Sequence, residues 1–372
     1  MARNDDDRVG VIRESVHSIR DAKNIFENLA RAESGAQSAV AGVRPNRFKY
    51  FTAFGLFTPF LIVHLKHTML RTFLARSSQP QRLVRSFVPS SQQGIRFIST
   101  SQSSGHPEGK ECYIERLSGA DEGIAIVNFN RPKAFNALSR KFVREFRDAL
   151  QELRYDQKAR VVIIRSLVDG AFCAGADLKE RSTMNPTEVK QFLAGLRDGF
   201  RDLETLPIPT IAVIDGAALG GGLEMALCCD MRVGGGTKKA KIGLVETKLA
   251  IIPGAGGTQR LPRLIGIPKA KELIYSSKIL DSAAAKEMGI LNHAVEEESG
   301  FNKALEIARE ILPMGPLAVR MAKSAIDKGT QFEIDSGLEY EQACYAQIMP
   351  SEDRLEGLAA FREKRKPAYK GK

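Results

Sequence analysis

ALGGGLEMALCCD, residues 218–230, decides the reading of this chain. Three glycines follow the strand-like TIAVID at 210–215 and precede the apolar run MALCC, so a strand hands over to a helix beginning at about Gly221. The Gly221 amide then lies at the positive end of the helix dipole, where a developing anion is stabilised. Glu224 follows in the first turn. It serves there either as an acid that offsets the dipole or, bordering a buried stretch, as a carboxylate with a shifted pKa.

Two more loops have small residues where a strand passes to a helix: FCAGADLKE at 172–180 and GLVETKLAIIPGAGGTQRLPR at 243–263. Any one of them is accounted for by a tight turn. Together they allow backbone to approach a ligand closely and aim two N–H groups at one oxygen. Glu246 lies in a mostly apolar setting, where a lone acid needs a reason; a salt bridge to Lys248 or Arg260 is the alternative to a functional role. Two glutamates converging on one water form a base and an acid when burial separates their pKa values. With an oxyanion hole, that set of groups hydrates an activated double bond.

Outward from these loops, GIAIVNFN (123–130), VVIIRS (161–166) and TIAVID alternate with helical patterns at 139–153 and 187–204, which is α/β patterning. After about residue 255 the strands almost vanish. KAKELIYSS, SAAAKEMG, FNKALEIAREIL, AVRMAKSAI and RLEGLAAFREK read as successive helices, whose leucines and alanines serve both an internal core and a face for another subunit.

The 372 residues, 43% hydrophobic and 27% charged, exclude collagen-like, disulfide-scaffold and wholly disordered classes. The net charge of +11 is unevenly spread: residues 34–107 hold nine basic and no acidic side chains, whereas 108–372 hold 40 basic and 37 acidic ones. Nucleic acid is therefore not implied by the net charge of the main domain. Residues 69–107, rich in arginine and serine and free of carboxylates, have the composition of a mitochondrial transit peptide and linker, which predicts a matrix protein; a disordered basic linker is the alternative. Residues 1–68 form an extension of unknown role, expected to be absent from the mature protein if translation starts at Met69. The apolar run at 50–65 is shorter than a spanning helix and contains Gly55 and Pro59, so no stable membrane anchor is expected. Five cysteines without CxxC spacing read as reduced thiols.

The three loops, with NRPKAFNALS at 130–139, resemble the crotonase (enoyl-CoA hydratase/isomerase) superfamily from about residue 112 to the C-terminus. The resemblance implies a crotonase-like superhelical spiral of ββα units over 108–310. It also implies a C-terminal α-helical region, 311–372, that builds homotrimers or hexamers as dimers of trimers. The substrate would be an acyl-CoA thioester, with no further cofactor and no metal. Motif by motif, the amides of Ala176 and Gly221 would form the oxyanion hole and Glu224 and Glu246 the acid/base pair, with the Gly254 amide near the water. Lys133, Ala134, Ala174, Asp177 and Leu178 would line the CoA path. VETKLAIIPGAGGTQRLPR and ACYAQIMPSEDRLEGLAAFREKRKPAYKG (343–371) are similar to the mitochondrial methylglutaconyl-CoA hydratase subgroup of leucine degradation. There Lys248 would meet the substrate's distal carboxylate, unless it is a surface lysine or a partner of Glu246. GGTKKA at 235–240 is about two residues longer than the family's loop.

Two rival readings stand beside this one. A short-chain hydratase or isomerase of fatty-acid oxidation keeps the fold and changes the reaction. Binding of AU-rich RNA would use Arg140, Arg144 and Arg147 on one face of the helix at 139–153. Against it, acids are interleaved and no aromatic platform is present.

Overall fold

The computed structural model describes residues 107–372 other than 237–239 and 297–298. The transit-peptide reading of 69–107 falls, apart from Pro107, outside the described residues. So do the readings of residues 1–68 and the centre of the GGTKKA insertion.

Among the described residues, nine strands form two sheets. β1 (Cys112–Arg116), β2 (Ile124–Phe129), β3 (Val161–Ser166), β5 (Thr210–Ile214), β7 (Met231–Gly234) and β9 (His293–Ala294) lie in that order in the larger one. β4 (Ala171–Cys173), β6 (Ala217–Leu219) and β8 (Lys241–Gly243) make the smaller. Among the described strands, β1 alone pairs antiparallel. From β3 onward, consecutive strands alternate between the sheets, so each repeat advances the chain one turn of a spiral. The runs IAIVNF and TIAVI are buried throughout, as expected of parallel strands covered on both faces.

Helices complete the repeats. α1 (Arg140–Tyr155) is capped by the Ser139 hydroxyl, which accepts from the Phe142 N–H. α2 (Leu178–Ser182) is capped by Asp177, and α3 (Pro186–Glu204) by a reciprocal Asn185/Glu188 box with proline at its first position. α4 (Gly221–Ala226) follows β6 directly. Then come α5 (Gly257–Ile265), α6 (Ile267–Tyr275), α7 (Ser282–Glu287), α8 (Phe301–Ile311), α9 (Pro316–Gly329), α10 (Ile334–Ile348) and α11 (Glu352–Glu363). The sequence patterns at 139–153, 161–166 and 187–204 thus correspond closely to real elements. The segment 243–263 is only partly a loop: its glycines and Pro262 hide α5, which carries that proline inside it. α10 escaped notice because its apolar residues form no clean stripe.

One core lies between the larger sheet, α1, α3 and the smaller sheet. Its centre is Phe129, whose ring meets those of Phe142 and Phe146 edge-on at 5.0 and 5.9 Å. The opposite sheet face packs Ile124, Ile126, Val161 and Ile163 against Ala304, Ile307 and Ala308 of α8. α9–α11 behave differently, leaving Ile326, Ile334, Leu338, Tyr345, Leu355, Leu358 and Phe361 exposed. Among the described residues no helix is long and apolar enough to cross a membrane.

Phe129→Ala removes the ring that three other phenylalanines enclose. It should destabilise the fold by about 3–5 kcal/mol, read as a lowered midpoint in urea unfolding followed by circular dichroism.

Candidate active site

Glu224 and Glu246 arrive from different repeats and are both buried, at 3% and 9% exposure. Glu224 stands in the first turn of α4. Its Oε1 accepts two backbone hydrogen bonds, from Ala255 and Gly257, each 2.8 Å. Burial raises its pKa, and those two N–H groups, with the charges of Arg260 and Arg197, work against the rise by favouring the carboxylate.

Glu246 opens a 3₁₀ turn, Glu246–Leu249, after β8. Its Oε2 is buried without a hydrogen-bond partner among the described residues. Burial foremost, then the charge on Glu224, push its pKa up to about 7. The salt bridge weighed from sequence does not form. Arg260 instead pairs with Glu204, Nε to Oε1 at 2.8 Å and Nη2 to Oε2 at 2.9 Å, and Lys248 points no ammonium at any described carboxylate within bridging distance. The structure therefore brings together two carboxyl groups in unlike surroundings.

Two peptide N–H groups lie close beside them. Gly220, the cap of α4, has φ 52° and ψ −123°, and a methyl group there would stand 3.1 Å from Glu246 Oε1. At Gly175, with φ +94°, a methyl group would meet the Leu219 carbonyl oxygen at 2.8 Å and the Gly221 nitrogen at 3.4 Å. One on Gly221 would be 3.9 Å from the Ala176 nitrogen. β4 and β6 thus present the Ala176 and Gly221 amides side by side, and no acceptor among the described residues takes either N–H. A backbone amide left open beside buried carboxyl groups is a place for a ligand oxygen.

The residues read as the CoA path lie on two segments, 132–135 and 174–178, that one backbone bond joins. Lys133 and Ala134 form a 3₁₀ turn, and Phe135 behind them has φ 49° while its carbonyl accepts from the Ala174 N–H at 3.0 Å. Lys133, Ala174 and Leu178 are exposed. Asp177 is already engaged, its side chain capping α2 and pairing with Arg131 at 2.7 Å, its N–H donating to the Leu138 carbonyl and its carbonyl accepting from the Arg181 N–H. Gly254 is half-buried and its carbonyl accepts from Arg197 Nε at 2.7 Å. Lys248 is exposed.

Arg140, Arg144 and Arg147 do share one face of α1, bordering a surface groove of about 320 Å³ that Gln151 and Phe192 also line. Two of the three are engaged: Arg140 with Glu188 at 3.1 Å and Arg147 with Asp202 at 3.5 Å. No group of three histidine, cysteine or acidic side chains placed to hold a metal occurs among the described residues. The five cysteines are buried and unpaired.

Sequence reasoning missed Ala255 and Gly257, whose N–H groups hold Glu224, and Asn136, whose amide donates to Ser166 Oγ and the Phe172 carbonyl to hold the loop before Leu138. GAGG at 254–257 was visible as a flexible turn; its target was not.

The Glu246 environment has a consequence for stability. Its ordinary pKa of 4.5 rises to about 7 on folding, so the fold prefers the neutral carboxyl group. That contribution is complete below the unfolded pKa and is lost as pH climbs through about 7. In Glu246→Gln, which stays neutral, the melting temperature relative to the parent protein should therefore improve steadily between pH 5 and pH 8, measured by scanning fluorimetry.

A sequence model of the family described as enoyl-CoA hydratase/isomerase matches residues 119–372. The chain is 51% identical over 265 residues to mitochondrial methylglutaconyl-CoA hydratase of Homo sapiens, covering 70% of this chain and 78% of that one. It is 49% identical over 283 residues to the mitochondrial enoyl-CoA hydratase domain-containing protein 2 of Mus musculus, covering 74% and 95%. The crystal structure of an enoyl-CoA hydratase from Bacillus anthracis superposes with a TM-score of 0.68 at 43% identity, covering 71% of this chain and all of that one. Spiral, paired glutamates and similarity agree: the chain belongs to the enoyl-CoA hydratase/isomerase family.

Proposed function

We propose that this protein adds water across the 2,3 double bond of an enoyl-CoA thioester, with methylglutaconyl-CoA as the substrate. The observation that carries the reading is the burial of Glu224 and Glu246 beside two peptide N–H groups for which no described residue provides an acceptor. The thioester oxygen would accept from the Ala176 and Gly221 N–H groups, which draws electron density from the β-carbon and stabilises the enolate that follows.

The unlike surroundings of the glutamates divide the acid and base roles. Glu224, with two N–H donors and nearby arginine charges, is the base that takes a proton from the attacking water. Glu246, with its pKa up at about 7, is the acid that delivers a proton to the α-carbon. The Gly254 amide stands one residue from the turn that holds Glu224 and would help to place the water. Lys133, Ala134, Ala174, Asp177 and Leu178 would guide CoA, chiefly through backbone. Lys248, exposed two residues beyond Glu246, would meet the distal carboxylate of methylglutaconyl-CoA.

The mitochondrial names of the relatives and the acid-free, arginine-rich stretch 69–107 support a matrix location after removal of that segment and of residues 1–68. The exposed apolar residues of α9–α11 support 311–372 as the region through which trimers or hexamers assemble onto the spiral of 108–310. The groove along Arg140, Arg144 and Arg147 favours a second reading, AU-rich RNA, over no role for that face, although two of its cations are engaged. An oligonucleotide held there through phosphates must be released steeply as salt rises.

Hydration of methylglutaconyl-CoA and crotonyl-CoA, followed by loss of enoyl absorbance, tests the main reading. Glu224→Gln and Glu246→Gln should each lower kcat by about 10²–10⁴. Full activity in both would overturn it. Lys248→Met should raise KM for methylglutaconyl-CoA and leave that for crotonyl-CoA within about twofold, as loss of a contact only the distal carboxylate makes.

A further inference from the structure

Two arginine contacts converge on the carbonyls of the turn that grips Glu224, and the roles proposed above use the charges of these arginines but not their hydrogen bonds. Arg260 lies in the first turn of α5 and grips Glu204, the last residue of α3, through two nitrogens at 2.8 and 2.9 Å. Its third nitrogen, Nη1, donates to the Ala255 carbonyl at 3.1 Å. Arg197 Nε donates to the neighbouring Gly254 carbonyl at 2.7 Å. The Gly254 carbonyl and the Ala255 N–H are two ends of one peptide, so the pull of Arg197 on the first turns the second inward to Glu224 Oε1, and the Gly257 N–H donates to the same oxygen from the far side of Gly256. Gly256 between them has φ +115°, and a methyl group there would fall 2.0 Å from Arg260 Nη1. The turn thus has one conformation that satisfies both sides.

We propose that Arg260, anchored by Glu204, is a positioning residue for the hydration: it holds the Ala255–Gly257 turn so that two backbone N–H groups fix Glu224 in place as an ionised base. Arg197 acts on the same turn from α3 through one bond, to the Gly254 carbonyl, whereas Arg260 ties the turn to Glu204 as well. The inference rests on the hydratase reading and adds to it a reason for Glu224 to stay ionised in a buried site. The bidentate pair is half-buried, where a charge-assisted fork holds geometry better than an exposed ion pair does. Lysine cannot replace it: one ammonium cannot span both Glu204 oxygens and the Ala255 carbonyl in a planar fork.

The test compares Arg260→Lys and Glu204→Gln with the parent protein, using crotonyl-CoA and methylglutaconyl-CoA over a range of pH. Loosening the turn removes hydrogen bonds that favour the carboxylate, so the acidic limb of the kcat profile should move up by about 1 pH unit. At neutral pH kcat should fall about tenfold or more, with KM within about twofold. In the double variant Arg260→Lys/Glu224→Gln, the arginine change should cost nothing further, since the group through which it acts is gone. An unmoved acidic limb, or losses that multiply in the double variant, overturns the proposal. If Arg260→Lys does not fold, Glu204→Gln and Glu204→Gln/Glu224→Gln carry the same readouts. Glu224→Gln alone separates the two layers: if it retains full activity, the hydratase reading itself falls. If it is inactive while Arg260→Lys leaves the limb in place, only the positioning role falls.

Discussion

A carboxylate withdrawn from water must find hydrogen-bond donors or become neutral, and this spiral buries two of them within electrostatic reach of each other. Glu224 has donors, the Ala255 and Gly257 amides on one oxygen, which oppose the rise that burial gives its pKa. Glu246 is pushed toward the second, with an oxygen unpartnered among the described residues and a pKa up at about 7. Much of the surrounding architecture follows from keeping these outcomes different. The GAGG turn has to present N–H groups inward, so its carbonyls face outward to Arg197 and Arg260. β6 has to be followed by glycine, because a side chain at Gly220 would press on the Glu246 carboxyl group.

The same close approach sets the amide pair. β4 and β6 belong to the smaller sheet, and a parallel ladder with a register shift at Ala171/Cys173 carries Gly175 up against Leu219 and Gly221. Gly222 is tighter still, since a methyl group there would be 2.1 Å from the Cys173 carbonyl oxygen. Backbone packed this densely is rigid, and rigid amides need no reorganisation when charge develops on an oxygen between them. The loop that carries Lys133 and Ala134 is tied into this arrangement by the Leu138 N–H, which donates to the Gly175 carbonyl at 2.8 Å. The 132–138 loop and the amide pair are therefore parts of one supported unit.

What was legible in the residues divides along a physical line. Strands buried on both faces announce themselves as unbroken aliphatic runs, so β2, β3 and β5 were visible, as were helices with caps at Ser139 and Asn185. The three-residue strands of the smaller sheet were not, because Ala171–Cys173, Ala217–Leu219 and Lys241–Gly243 are too short to show a period. Glu224 and Glu246 stood out as acids in apolar settings, and Gly221 as the start of a helix. The donors to Glu224 did not stand out, since a peptide N–H carries no side-chain signature.

By itself the sequence determined the α/β-then-α order, the two glutamates and the glycine points where backbone can come close, because burial and backbone freedom are written in residue type. Tertiary structure alone decided which glutamate has donors, that Arg260 pairs with Glu204, and that residues 176 and 221 offer adjacent amides. Those are relations between segments tens of residues apart, and the spiral that brings them to one place is set by strand pairing and register, which no local pattern encodes.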